Sequence, residues 1–116
     1  MSHNSFLQRY GERIAARDGV WKCHYCGIGL VVPGSADVPG PYARIGGYTV
    51  SIGLERPVVD HVTPQQRRFW LKETHQLDNL VLACRMCNAR KKAKPYERFM
   101  PEITRWCHEH RYPVKV

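Results

Sequence analysis

The sequence predicts a small α+β fold stapled by a metal ion, and three observations predict it. Two CxxC pairs, Cys23/Cys26 and Cys84/Cys87, are placed far apart in the chain. Two short runs of branched and aliphatic residues, 57–63 and 78–83, read as strands. Helix-forming segments flank these strands on both sides.

Residues 5–18 form the first predicted helix. Phe6, Leu7, Tyr10, Ile14 and Ala15 recur at helical spacing, and Asp18-Gly19 ends the pattern. The segment 21–27, WKCHYCG, is a compact turn. Residues 28–56 change character. They hold Pro33, Pro39, Pro41 and many of the glycines, and only Asp37, Arg44, Glu55 and Arg56 are charged. They are expected to be an insertion of strands and loops, with the apolar runs 28–32 and 48–52 pairing as a hairpin. The run 57–63, PVVDHVT, is a strand stopped by Pro64, and 65–73 forms a short helix or an ordered loop. A turn at Asp78 leads into the second strand. Residues 84–94 hold good helix formers and stop before Pro95. A last helix over 96–109, opening a helical extension at 96–116, contains Pro101, which is expected to kink or split it.

A chain of 116 residues has room for one domain. Folding at this size hides about two thirds of the chain's surface, so the core is modest and a metal staple helps it. The formal net charge is +8 and the pI is near 9.5, which favours a polyanionic partner, nucleic acid first. The excess is concentrated. Residues 61–100 carry nine Lys or Arg against three acids, Glu73, Asp78 and Glu97. No stretch approaches the roughly 20 apolar residues of a membrane span, and the N-terminal residues lack the apolar core of a secretory signal. A cytoplasmic location is therefore expected, where five cysteines point to metal rather than disulfides.

Two residues between thiolates let both sulfurs reach one ion from a tight turn, and Gly27 after Cys26 lets the backbone fold back. Two such pairs make a tetrahedral site for structural Zn2+. The second pair opens a helix, whose N-terminus stabilises thiolates. Four thiolates close the coordination sphere, so this site is not expected to be catalytic. His24 inside the first knuckle is not needed as a ligand. Cys107 is expected to pack as a small apolar side chain, and His75, His108 and His110 to lie on the surface.

Asp60-His61 sits where the first strand ends. An ending strand frees adjacent side chains from strict alternation, so Asp60 can meet a hard cation while His61 takes a proton. Asn79 opens the second strand. Asn88 follows a cysteine of the second pair directly, so the metal fixes its place on the helix.

The elements CHYCG, VVDHVTP, DNLVLACRMCN and the basic NARKK, in this order and spacing over residues 21–95, resemble the HNH endonucleases, the ββα-metal nucleases. The resemblance implies a single HNH domain over 1–116, with a ββα-metal fold, a four-cysteine zinc site and flanking helices. It implies that His61 is the general base, which activates water against the scissile phosphate. Asp60 becomes the first metal ligand and Asn88 the second. Asn79 becomes the central asparagine that orients the inter-strand loop and supports the histidine. Many relatives carry His at the Asn88 position, so this is an HNN-like variant. Its oxygen ligands favour Mg2+ or Mn2+. With an ordinary pKa near 6.5, a histidine serves as a base near neutral pH. Arg85, Arg90, Lys91 and Lys92 are expected to grip the phosphates of DNA, double-stranded in this reading. A homodimer would let so small a nuclease cut both strands. Two rivals are a zinc-dependent DNA-binding module without catalysis and a nuclease directed at RNA. Binding alone requires none of Asp60, His61 or Asn88.

Overall fold

The computed structural model describes residues 3–63 and 77–113. Pro64, the 65–73 segment and His75 lie outside the described residues, as do Arg67, Arg68, Lys72 and Glu73. The first helix is α1, His3–Asp18. A hairpin follows, β1 Gly40–Ile45 and β2 Tyr48–Leu54. Next comes strand β3, Val58–His61. A 3-10 turn, Leu77–Asn79, leads into β4, Leu80–Ala83. Helices α2, Arg85–Lys91, and α3, Tyr96–His110, complete the order.

Strands β3 and β4 are antiparallel, pairing Val58 with Ala83, Val59 with Leu82, Asp60 with Val81 and His61 with Leu80. All four residues of β4 are buried. That burial explains its unbroken apolar run, because a strand covered on both faces does not alternate. Helix α1 packs across β3 and β4, and α2 packs against β3. Buried side chains from α1, the first knuckle, the strands, α2 and α3 form one cluster that includes Ile14, Leu80, Leu82, Phe99 and Ile103.

The hairpin differs from expectation. Its partners are β1 and β2, joined by Gly46-Gly47, not the 28–32 run with 48–52. Gly46 and Gly47 both take positive φ, 57° and 84°, which suits a two-residue hairpin turn between twisted strands. The 28–32 run makes only isolated bridges, Gly29 with Lys22 and Leu30 with Glu55. The apolar content of 28–32 serves burial instead, with Ile28 and Leu30 both 2% exposed.

The hairpin tip is seated on α3. A Cβ at Gly46 would stand 2.8 Å from ring atoms of both His110 and Trp106. Tyr48 meets Trp106 edge to face at 5.9 Å. His110 is therefore not a plain surface residue. Its ring stacks on Trp106 at 4.5 Å, and its Nδ1–H donates to the Trp106 carbonyl at 2.8 Å. Gly46→Ala combines a left-handed backbone with a clash against packed rings, so it is expected to lower stability by about 1–3 kcal/mol. A denaturant midpoint unchanged from wild type would contradict this packing.

Helix α3 is continuous through Pro101. Pro101 cannot bond back to the Glu97 carbonyl. Both residues are exposed, so water can take that carbonyl and the helix is not split.

Candidate metal and catalytic site

The first knuckle is fixed to β4 through backbone. The His24 amide donates to the Leu82 carbonyl at 2.9 Å, and the Cys23 amide to Ile28 at 2.9 Å. The two CxxC turns repeat one device. The Cys26 amide approaches Cys23 Sγ at 3.5 Å, and the Cys87 amide approaches Cys84 Sγ at 3.4 Å. Cys84 thereby caps α2 with its sulfur.

The four ligand atoms of Cys23, Cys26, Cys84 and Cys87 all lie within 4.8 Å of one another, with Cys26 and Cys84 sulfurs at 3.6 Å. Tetrahedral zinc with bonds near ~2.3 Å sets sulfurs about 3.8 Å apart, so the cluster fits that ion. Burial opposes charge on Cys23, but hydrogen bonds from Cys26, Cys84 and Cys87 outweigh it and hold that thiol well below its ordinary value. Hydrogen bonding to Cys23 conversely pushes the Cys26 and Cys87 thiols up. A cation among the sulfurs would favour the thiolate form of all four. His24 is exposed and outside the cluster, against the rings of Tyr25 and Tyr96. Cys107 is half-buried against the core, and burial pushes its thiol up to about 11. Tyr112, which no sequence pattern marks, is 3% exposed; burial first, then the neighbouring Cys84, pushes its hydroxyl up and keeps it protonated.

Asp60 is buried at the end of β3, 9% exposed. Its two oxygens have different neighbours. Oδ1 accepts from Asn88 Nδ2 at 3.1 Å. Oδ2 accepts from the Tyr25 hydroxyl at 2.5 Å and faces Lys91 Nζ at 3.5 Å. Burial and the adjacent Asp60 charge push the Tyr25 hydroxyl far up, so it remains a donor. Turning the Asn88 amide end for end puts its oxygen where the nitrogen stands. Two neighbouring oxygens on an octahedral Mg2+ at ~2.1 Å are about 3.0 Å apart. Asp60 Oδ1 and Asn88 could together hold one small hard cation.

His61 follows at the strand end, half-buried. Its carbonyl accepts from Lys91 Nζ at 2.7 Å. Asn79 pins the residues just beyond. Its Oδ1 accepts from the Thr63 amide at 2.8 Å, its Nδ2 donates to the Thr63 carbonyl at 3.2 Å, and its own carbonyl accepts from the Val62 amide at 2.9 Å. Arg17 of α1, also unmarked in the sequence, donates to the carbonyls of Leu77 and Leu80 at 2.7 and 2.9 Å. It holds both ends of the turn that contains Asn79.

Two of the expected phosphate contacts are corrected. Lys91 is 1% exposed, with its ammonium turned inward to Asp60 and His61. Arg90 lies over Tyr48 and Trp106, at 5.2 and 5.3 Å from the ring centroids, with its side chain 17% exposed and Glu102 at 3.8 Å. Helix periodicity is the reason. Asn88 and Lys91 are three residues apart and share a face, and Arg90 lies on the side that meets α3. Lys94 is also engaged, at 2.6 Å from Glu102. The Lys94 hydrogen bond holds the Glu102 carboxyl below its usual range. Of the four expected contacts, Arg85 and Lys92 remain exposed.

A strand pair followed by a short helix, clipped by four cysteines and bearing an acid and a histidine at the strand end, defines a ββα-metal fold. Residues 48–94 match the family model described as HNH endonuclease. The match takes in Asp60, His61, Asn79, Cys84, Cys87 and Asn88, and leaves the first CxxC pair outside. No curated protein and no solved structure matches the chain significantly. No helix among the described residues is long and apolar enough to cross a membrane.

Proposed function

We propose that the protein is a DNA endonuclease that hydrolyses phosphodiester bonds at Asp60, His61 and Asn88, with Mg2+ or Mn2+ as catalytic cation and Zn2+ as structural ion. The observation that carries this reading is the 3.1 Å approach of Asp60 Oδ1 to the Asn88 amide, on the residue next to His61. Two liganding groups at the spacing of one hard cation, with a base beside them, serve hydrolysis and are not needed for binding.

The residues divide the work. His61 takes the proton from an attacking water, and its backbone is held by Lys91 on one side and by the Asn79-bound turn on the other. Asp60 Oδ1 and Asn88 hold the cation. When bound, that ion supplies positive charge against the phosphate oxygen and the leaving 3′ oxygen. The four-thiolate zinc site fixes the first knuckle and the start of α2, and so sets where Tyr25 and Asn88 stand. Arg85 and Lys92 supply phosphate contacts, and binding weakens as salt rises.

Incubation of the purified protein with supercoiled plasmid and Mn2+ or Mg2+ tests the reading. Nicked or linear DNA is expected, and EDTA should abolish it. DNA retention without any cleavage would instead favour a zinc-dependent binding module. Faster cleavage of RNA than of duplex DNA would redirect the substrate.

A further inference from the structure

The two oxygens of Asp60 are held differently, and the groups on Oδ2 come from the first knuckle and from the helix that the second knuckle opens. Tyr25 lies between Cys23 and Cys26 in the first knuckle, and its hydroxyl donates to Oδ2 at 2.5 Å. Lys91 ends α2, the helix that Cys84 caps, and its ammonium stands 3.5 Å from the same oxygen. That ammonium is anchored independently, at 2.7 Å from the His61 carbonyl, and lies 5.9 Å from the centroid of the Tyr25 ring. A buried lysine is costly unless its charge meets a partner, and here the partners are Asp60 and the backbone of His61. Among the described residues, Oδ1 accepts from the Asn88 amide alone.

We infer that Tyr25 and Lys91 form a clamp that reserves Asp60 Oδ2, so that the carboxylate offers the divalent cation a single oxygen, Oδ1. This rests on the nuclease reading for the cation itself and deepens it. Tyr25 and Lys91 are positioning residues: they set how Asp60 presents and touch neither DNA nor the reacting atoms. The clamp favours small six-coordinate ions. Mg2+ and Mn2+ accept one oxygen per carboxylate, whereas Ca2+ readily takes both oxygens at 6–8 coordination. The clamp also ties the catalytic ion to the zinc knuckles, because Tyr25 sits inside the first and Lys91 ends the helix that the second opens.

Competition between Mn2+ and Ca2+ for the zinc-loaded protein, read by Mn2+ electron paramagnetic resonance without DNA, tests the clamp. Loss of the Lys91 charge strengthens binding of both divalent ions alike, so their ratio isolates the oxygen geometry. In Lys91→Met, and further in Tyr25→Phe/Lys91→Met, the ratio is expected to move toward Ca2+ by about tenfold as the second oxygen is freed. Cleavage with Mn2+ should fall by about 100-fold through misplacement of the ion. Zinc content should stay at wild-type level. Tyr25→Phe, which removes one oxygen atom, carries the same test if Lys91→Met does not fold. Mn2+ binding with an unchanged ratio in the variants would overturn the clamp and leave the nuclease reading standing. Wild-type protein that binds no Mn2+ and cuts no DNA would overturn the nuclease reading, and the clamp with it.

Discussion

His61→Ala is expected to reduce plasmid cleavage by about 10²–10⁴-fold, the span that a positioned general base contributes, while DNA binding stays near wild type. The substitution removes the imidazole and leaves the main-chain contacts of His61 in place. The His61 backbone keeps its pairing with Leu80 and its bond from Lys91, since both are made by main-chain atoms. Asp60 keeps Tyr25, Lys91 and Asn88. Arg85 and Lys92 stay exposed. A gel-shift titration and a nicking time course on the same preparation therefore separate binding from chemistry. Equal cleavage by wild type and His61→Ala would remove His61 from the mechanism.

Cys84→Ser should be the most damaging change to stability. Cys84 is 0% exposed, contributes one of the four sulfurs and caps α2. Structural zinc sites in small peptides are worth about 10–16 kcal/mol of apparent binding free energy. A whole domain is stable by only about 5–15 kcal/mol. Loss of the ion therefore removes as much as the fold has. Circular dichroism should show an unfolded or insoluble variant, and elemental analysis should show about one zinc per wild-type chain and none in the variant. A chelator strong enough to strip zinc should unfold the wild type in the same way. A soluble, folded, zinc-free Cys84→Ser protein would contradict the structural role of the cluster.

Sequence and structure agree most closely where the signal is short-range. The strands 57–63 and 78–83 contain β3 and β4, and helix α2 starts one residue after Cys84. The failures are long-range. The partner of β2 is β1, and the Gly46-Gly47 turn is the signal that marks it. Pro101 neither splits α3 into two helices nor ends it, and both Pro101 and Glu97 are exposed, where water can take the freed carbonyl. Basic residues in NARKK look alike in one dimension, yet Arg90, Lys91 and Lys92 point to an aromatic stack, to Asp60 and to solvent respectively. The spacing of Asn88 and Lys91 could have shown the second of these. Nothing in the sequence marks Tyr25 as the partner of Asp60.

The sequence alone determined the four clustered cysteines, the adjacency of Asp60 and His61 at a strand end, and the resemblance to HNH endonucleases. It could do so because knuckles and strand ends place their side chains by local geometry over a few residues. The tertiary structure alone decided which charges are buried and which partners each oxygen of Asp60 meets. Those outcomes depend on the meeting of a knuckle at residue 25, a strand at 60 and a helix at 91, and burial makes the cost of an unpaired charge choose the partner.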